Sequence, residues 1–273
     1  MKKLGVPYQL RMGHGIYSID RFFKWKTEIE PYEVEKGSVD KVYREILLEI
    51  EKGLAEDRFF KTLEECVERF KAVPLSENKS TRPKIGIIGD SYTRVNCHSN
   101  NNLYQRLNEM GFEVWTSASM IDITFLGIEQ MHLEFIKKGR PVSGMLMKLY
   151  SPGVKKWRGR IDKYFPDNIA TPQERPFKDI YKCTEKYINF WIDRALASNI
   201  SRVEEFKEGG ADGIINVMCH NCMLGNVVSA LSGSIKKDMD EIPICSIIYE
   251  GLKSTHNVNR LEAFTDQIKN CLR

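Results

Sequence analysis

Two cysteines separated by two residues are the side chains best suited to chemistry in this chain: Cys219 and Cys222, in the segment GGADGIINVMCHNCMLG at 209–225. Thiolates at that spacing can hold one metal ion, or one edge of an iron–sulfur cluster, from a single turn. Such centres take about four protein ligands, so the pair is half of a site. More soft donors lie in the segment SYTRVNCHSNNN at 91–102, which carries Cys97 and His98. If the two segments face each other, Cys97 becomes a third thiolate, with His98 or His220 as the fourth ligand. The alternative is that Cys97 is a small loop residue and both histidines face solvent. Asn100, Asn101 and Asn102 read as helix-capping residues, or as hydrogen-bond donors to a bound anion or cluster sulfide.

The elements around these residues explain why they would meet. Ile214, Ile215 and Val217 form a short β-branched run after three glycines, as in a parallel strand buried on both faces. Gly225 and Asn226 then open a helix with Val227, Val228, Leu231 and Ile235 on one apolar face. Backbone N–H groups near Gly225 would stabilise an anionic centre, and the positive helix end favours thiolates. A second strand, KIGIIGD at 84–90, precedes the 91–102 loop, a helix bearing Leu103 and Leu107, and a third strand, FEVWT at 112–116. IPICSIIY at 242–249 is the last strand, with Cys245 expected to be buried, and a loop holding His256 follows it. Ligands of open α/β sheets bind outside the carboxyl ends of the strands, where both cysteine loops lie. The G-x-x-G-D pattern at 86–90 lacks the third glycine of a dinucleotide fingerprint, which argues against NAD.

The expected fold is therefore α/β: an open, mainly parallel Rossmann-like sheet with a helical insertion and an N-terminal helical segment. The helical segment covers 1–78 and the α/β domain 84–273, with the insertion at about 121–208 and a polar linker, PLSENKSTRP, between them. Ser38 caps a helix carrying Val39, Ile46 and Ile50, and a second helix follows with Cys66 on its apolar side. His14, between two glycines, reads as a surface turn. The basic and aromatic stretch 154–164 reads as a solvated helix face, or as a contact for a phosphate-rich ligand such as coenzyme A. A net charge of +4 from mixed acidic and basic residues gives no case for nucleic acid, and no apolar run is long enough to span a bilayer. Seven cysteines in a chain with a real core and no signal-peptide pattern point to a reducing, cytoplasmic setting.

Four segments taken in order resemble one family. They are Pro31-Tyr32-Glu33 with Lys36-Gly37, the run KIGIIGDSYTRVNCHSNNNLYQRLNEMGFEV, the run DGIINVMCHNCMLGNVVSAL, and RLEAF at 260–264. The family is the 2-hydroxyacyl-CoA dehydratase D-component group, with the dehydratase-activase-related proteins and the double-cubane-cluster reductases. The likeness covers nearly the whole chain, as the C-terminal part of longer members. It implies an oxygen-sensitive iron–sulfur protein of anaerobic metabolism, a dehydratase or reductase component, holding a [4Fe–4S] or double-cubane cluster. Its low-potential electrons would come from an ATP-dependent activator protein with a cluster of its own. By position, Cys222 matches the family cysteine before a Met-x-Gly turn, Cys219 is an additional thiol, and Cys97 stands where members often carry proline. Further family cysteines lie in an upstream half that this chain lacks, so a partner subunit or a homodimer would complete the cluster. A scaffold without a cluster and a zinc site built on the same thiols are the alternatives.

Overall fold

A computed structural model describes residues 6–76, 82–116, 120–167, 169–171, 175–189, 193–250 and 255–271. Along these residues run α1 (Val6–Ile29), α2 (Ser38–Ala55), α3 (Phe59–Lys71), β1 (Lys84–Gly89), α4 (Ser91–Val95) and α5 (Leu103–Glu109). Then come β2 (Glu113–Thr116), α6 (Met120–Lys137), α7 (Pro141–Asp162), α8 (Phe177–Thr184) and α9 (Arg194–Glu208). The last elements are β3 (Gly213–Cys219), α10 (Met223–Asp238), β4 (Ile244–Tyr249) and α11 (Thr255–Cys271). The chain divides into a helical unit, Met1–Lys79 with Thr124–Ile169, and an α/β unit, Ser80–Ile123 with Ala170–Arg273.

In the helical unit, α2 and α3 form as their apolar spacing predicts, with Val39, Ile46, Ile50, Leu63, Cys66 and Phe70 buried. Ser38 is not the cap of α2. Gly37 holds that place with a left-handed backbone, and the Glu33 carboxylate accepts the N–H groups of Gly37 (2.6 Å) and Val39 (3.0 Å). Helix α1 covers the stretch whose periodicity is weak in the sequence. Its Phe22 is fully buried and meets Phe70 and Phe165 edge-on at 5.6 and 4.9 Å between ring centres. Helix α7 joins this unit instead of the sheet, because its side chains pack on α1. Tyr17 donates to Asp162 Oδ1 at 2.8 Å, Arg158 Nε donates to the Tyr17 hydroxyl at 3.2 Å, and Arg160 lies over the Phe60 ring. The basic stretch 154–164 thus lies partly against aromatic rings.

His14 is a helical residue, and not a turn. Its ring stacks between Phe59 and Trp157, at 5.4 and 5.0 Å, and meets Phe60 edge-on. Burial first, and the positive charge of Arg160 second, lower its pKa below the ordinary 6.5. The unfolded chain therefore takes up the proton before the folded one does. The contribution of His14 to stability is complete above 6.5 and is lost as pH falls through the lower folded value. Urea midpoints taken from about pH 7.5 to about pH 5 should fall more steeply for the natural protein than for His14→Phe, whose ring keeps the stacking and cannot titrate. Parallel curves for the two proteins would refute this.

In the α/β unit the four strands form one all-parallel sheet in the order β2-β1-β3-β4, the open Rossmann-like arrangement. Ile85, Ile87, Ile88, Ile214, Ile215 and Val217 are fully buried, as the β-branched runs require of strands covered on both faces. Alternation along β3 sets the layers. Gly213 lies under Phe264 and Ile268 of α11, while Asn216 and Met218 point to the opposite face, at α10. Phe206 of α9 fills the space beside Gly86 on that same face. Cys245 is only half-buried, against the expectation, because β4 is an edge strand. Helices α8 and α9 lie in the stretch expected to be helical and bury Ile180, Leu196, Ile200 and Val203. His256 belongs to the first turn of α11 instead of a loop. Among the described residues no helix is long and apolar enough to cross a membrane.

Candidate functional site

The strand order reverses between β1 and β3: β2 follows β1 on one side and β3 lies on the other. Such a reversal opens a crevice beyond the carboxyl ends of the two strands. Residue pairing from Ile85↔Gly213 to Gly89↔Val217 brings both strands to that rim together. The Asp90 N–H donates to the Val217 carbonyl at 2.8 Å, and the Gly89 N–H donates to Asn199 Oδ1 of α9 at 2.9 Å.

Strand β3 ends on Cys219, which is exposed. The chain then turns: the Cys222 N–H donates to the Cys219 carbonyl at 3.2 Å, and Asn221 takes a left-handed backbone, φ 58°. Asparagine tolerates that conformation better than most residues. Helix α10 starts at Met223, two residues before the position expected from Gly225, so Cys222 is its N-cap. The Cys222 sulfur accepts the Gly225 N–H at 3.5 Å. Gly225 is there for packing: a Cβ would stand 2.6 Å from that of Met218, so only glycine lets α10 start this close to β3. Its carbonyl accepts a hydrogen bond from Asn216 Nδ2 at 3.0 Å. Asn226 is exposed, and its N–H donates to the Cys222 carbonyl at 3.0 Å. The N–H groups of Gly225 and Asn226 are thus both engaged with Cys222.

The two thiols belong to one turn, close enough for Cys222 to act electrostatically on Cys219. Local desolvation raises the Cys219 pKa, and Cys222 and Asp90 push it the same way. The loop around Cys219 and a carboxylate from the neighbouring strand end thus work against the thiolate there, opposite in sign to the effect expected of the helix end. His220 Nδ1 stands 3.3 Å from Glu250 Oε1, both largely exposed.

The loop after β1 is built differently. The Asp90 carboxylate caps the short helix α4 by accepting the Thr93 N–H at 2.7 Å. Asn100 is fully buried; its Nδ2 donates to the carbonyls of Thr93 and Arg94, and its Oδ1 accepts the Leu103 N–H at 3.1 Å. Asn100 is thus a capping residue. Asn101 and Asn102 supply left-handed backbone at the turn. Cys97 and His98 are exposed on this loop. Tyr104, wholly buried behind it, donates to Thr116 Oγ1 at 3.0 Å, and burial pushes its phenol up to about 12.

Cys219 and Cys222 are therefore brought together, while Cys97 reaches the same rim without closing a three-thiol group. Among the described residues no three His, Cys, Asp or Glu side chains converge closely enough to hold a metal ion. The sequence reading missed Asp90 and Asn216. A polar residue inside the run IINVM was the visible signal for the second. Fold and site together define an open, doubly wound α/β protein with a paired-thiol loop at its switch point. No protein-family model, no curated protein and no solved structure matches the chain.

Proposed function

We propose that this chain is a subunit of an oxygen-sensitive iron–sulfur redox protein, a dehydratase or reductase component, in which Cys219 and Cys222 supply two thiolate ligands. The observation that carries the reading is the pairing of two free thiols at the mouth of the β1/β3 crevice. Two thiolates from one turn can ligate two irons of a cubane; a full [4Fe–4S] or double-cubane set does not come together within this chain among its described residues. The remaining ligands come from a partner subunit or from a second copy, and Cys97 is a further candidate on the same rim. Tyr92 (66% exposed) on the loop after β1 and Met223 (67%) at the start of α10 give such a partner apolar surface to cover. When bound, the cluster would supply low-potential electron transfer, fed by an ATP-dependent activator iron–sulfur protein in the cytoplasm. Asp90 and the Gly225 N–H would set the charge around the ligand sulfurs.

The test is anaerobic reconstitution with iron and sulfide, followed by metal and sulfide analysis. The expected product is brown, with iron and sulfide in equal amounts, and the double variant Cys219→Ala/Cys222→Ala should lose nearly all of both. Unchanged iron in the double variant would overturn the ligand assignment. Colourless protein that takes up zinc on the same thiols would replace the cluster with a zinc site. Colourless, metal-free protein indifferent to the double substitution would leave a scaffold.

A further inference from the structure

Residues Cys219 to Cys222 close a four-residue turn through the Cys222 N–H and the Cys219 carbonyl, at 3.2 Å. The ends of such a turn lie within about 7 Å, Cα to Cα. That overlaps the Cα–Cα span of a disulfide. The sulfurs differ in access. Cys219 is exposed at the end of β3, whereas Cys222 is half-buried, capping α10 with the Gly225 N–H on its sulfur.

From this geometry we infer that Cys219 and Cys222 form a reversible disulfide, and that the loop exchanges electron pairs with a dithiol protein or a small thiol. The asymmetry assigns the roles. An incoming thiolate bonds to the exposed Cys219 sulfur and the Cys219–Cys222 bond breaks. The electron pair leaves on the Cys222 sulfur, where the Gly225 N–H and the N-terminus of α10 stabilise the negative charge. A second thiolate of the donor then attacks the donor sulfur of the mixed disulfide and releases Cys219. In sum, one disulfide becomes two thiols, the donor dithiol becomes a disulfide, and two electrons are transferred. The reverse sequence oxidises the pair.

This inference does not need a metal, although metal and disulfide would compete for the same sulfurs. It is tested on the full chain stripped of metal by a chelator and equilibrated with mixtures of reduced and oxidised glutathione. Free thiols are then blocked and the peptides mapped by mass spectrometry. A Cys219–Cys222 cross-linked peptide should grow with the oxidised fraction and vanish on adding a dithiol. Cys222→Ser should trap glutathione on Cys219 roughly ten-fold more than Cys219→Ser traps it on Cys222. Absence of the cross-linked peptide at every ratio, a cross-link from Cys97 in its place, or equal trapping in the two variants would overturn the proposal. Iron content is measured on separate, reconstituted samples, so a failure of the cluster reading leaves this result standing, and the reverse also holds.

Discussion

Gly89→Ala is expected to be among the most damaging single substitutions in the α/β unit, costing on the order of 3–5 kcal/mol. Two effects add. Gly89 holds φ at 110°, a conformation that residues with a side chain rarely adopt. A Cβ there would also stand 2.0 Å from the Val217 carbonyl oxygen and 2.8 Å from the Val217 nitrogen, both backbone atoms of the neighbouring strand. Neither atom can swing away as the end of a side chain would. Relief requires β1 and β3 to part, which gives up the Asp90 N–H to Val217 hydrogen bond and the pairing that brings both loops to one rim. Gly111→Ala is the control. Its φ is 95°, but nothing lies within 4 Å of the added carbon, so only the backbone term remains, about 1 kcal/mol. Urea unfolding of the two variants isolates the steric part. If Gly89→Ala lost no more stability than Gly111→Ala, the close approach of the strands at this point would be refuted.

That close approach is the part of the site the sequence does not spell out. The strands themselves are legible: β-branched runs such as Ile85–Ile88 and Ile214–Val217 are what two-sided burial selects, and each lies within a residue or two of its expected limits. Which strand neighbours which is a long-range fact, and the meeting of the two loops could be read only as a condition. Helix α1 is obscured for a different reason. Its buried side includes Arg21, Lys24, Lys26 and Glu28, whose charges blur any apolar period. Lys26 reaches Glu30 at 3.0 Å and Asp40 at 3.2 Å, so a cation is retained where the pattern leads one to expect an alkyl chain. The glycines around His14 look like a turn, yet they are small because Trp157 and the Leu54 side chain lie against them. Gly225 misleads similarly: read as the opening of a helix, it lies inside the first turn, where contact with Met218 forbids a side chain. The error moves the start of α10 by two residues, and with it the place of Cys222. As the N-cap, Cys222 has a sulfur bonded to the helix backbone, and that bond sets it apart from Cys219.

Asn216 provides the second large effect, because it ties that helix start to the sheet. The residue is fully buried. Its Nδ2 donates to the Gly225 carbonyl at 3.0 Å and to Ser246 Oγ at 3.1 Å, and Ser246 in turn meets Ser229 of α10 at 2.6 Å. Its Oδ1 has no hydrogen-bond partner among the described residues. Asn216→Asp keeps the shape and replaces the donor by an oxygen. At neutral pH a carboxylate would then face the Gly225 carbonyl, with its other oxygen bare, at a cost of about 2–4 kcal/mol. The loss must depend on pH, and the sign follows from desolvation, which raises a buried carboxyl above its unfolded value of about 3.9. Below that value the acid is neutral in both states, and its O–H can donate to Gly225 or Ser246. As pH rises the unfolded chain ionises first, so the deficit against the natural protein grows until the raised folded pKa is passed. Urea midpoints should therefore differ little at about pH 4 and widely at about pH 7.5, whereas the deficit of Asn216→Ala should not change with pH. Loosening the first turn of α10 should also speed alkylation of Cys222 relative to Cys219. A deficit in Asn216→Asp that stays constant across this range would show the position to be hydrated rather than sealed, and would remove the anchor that holds the paired thiols at the rim.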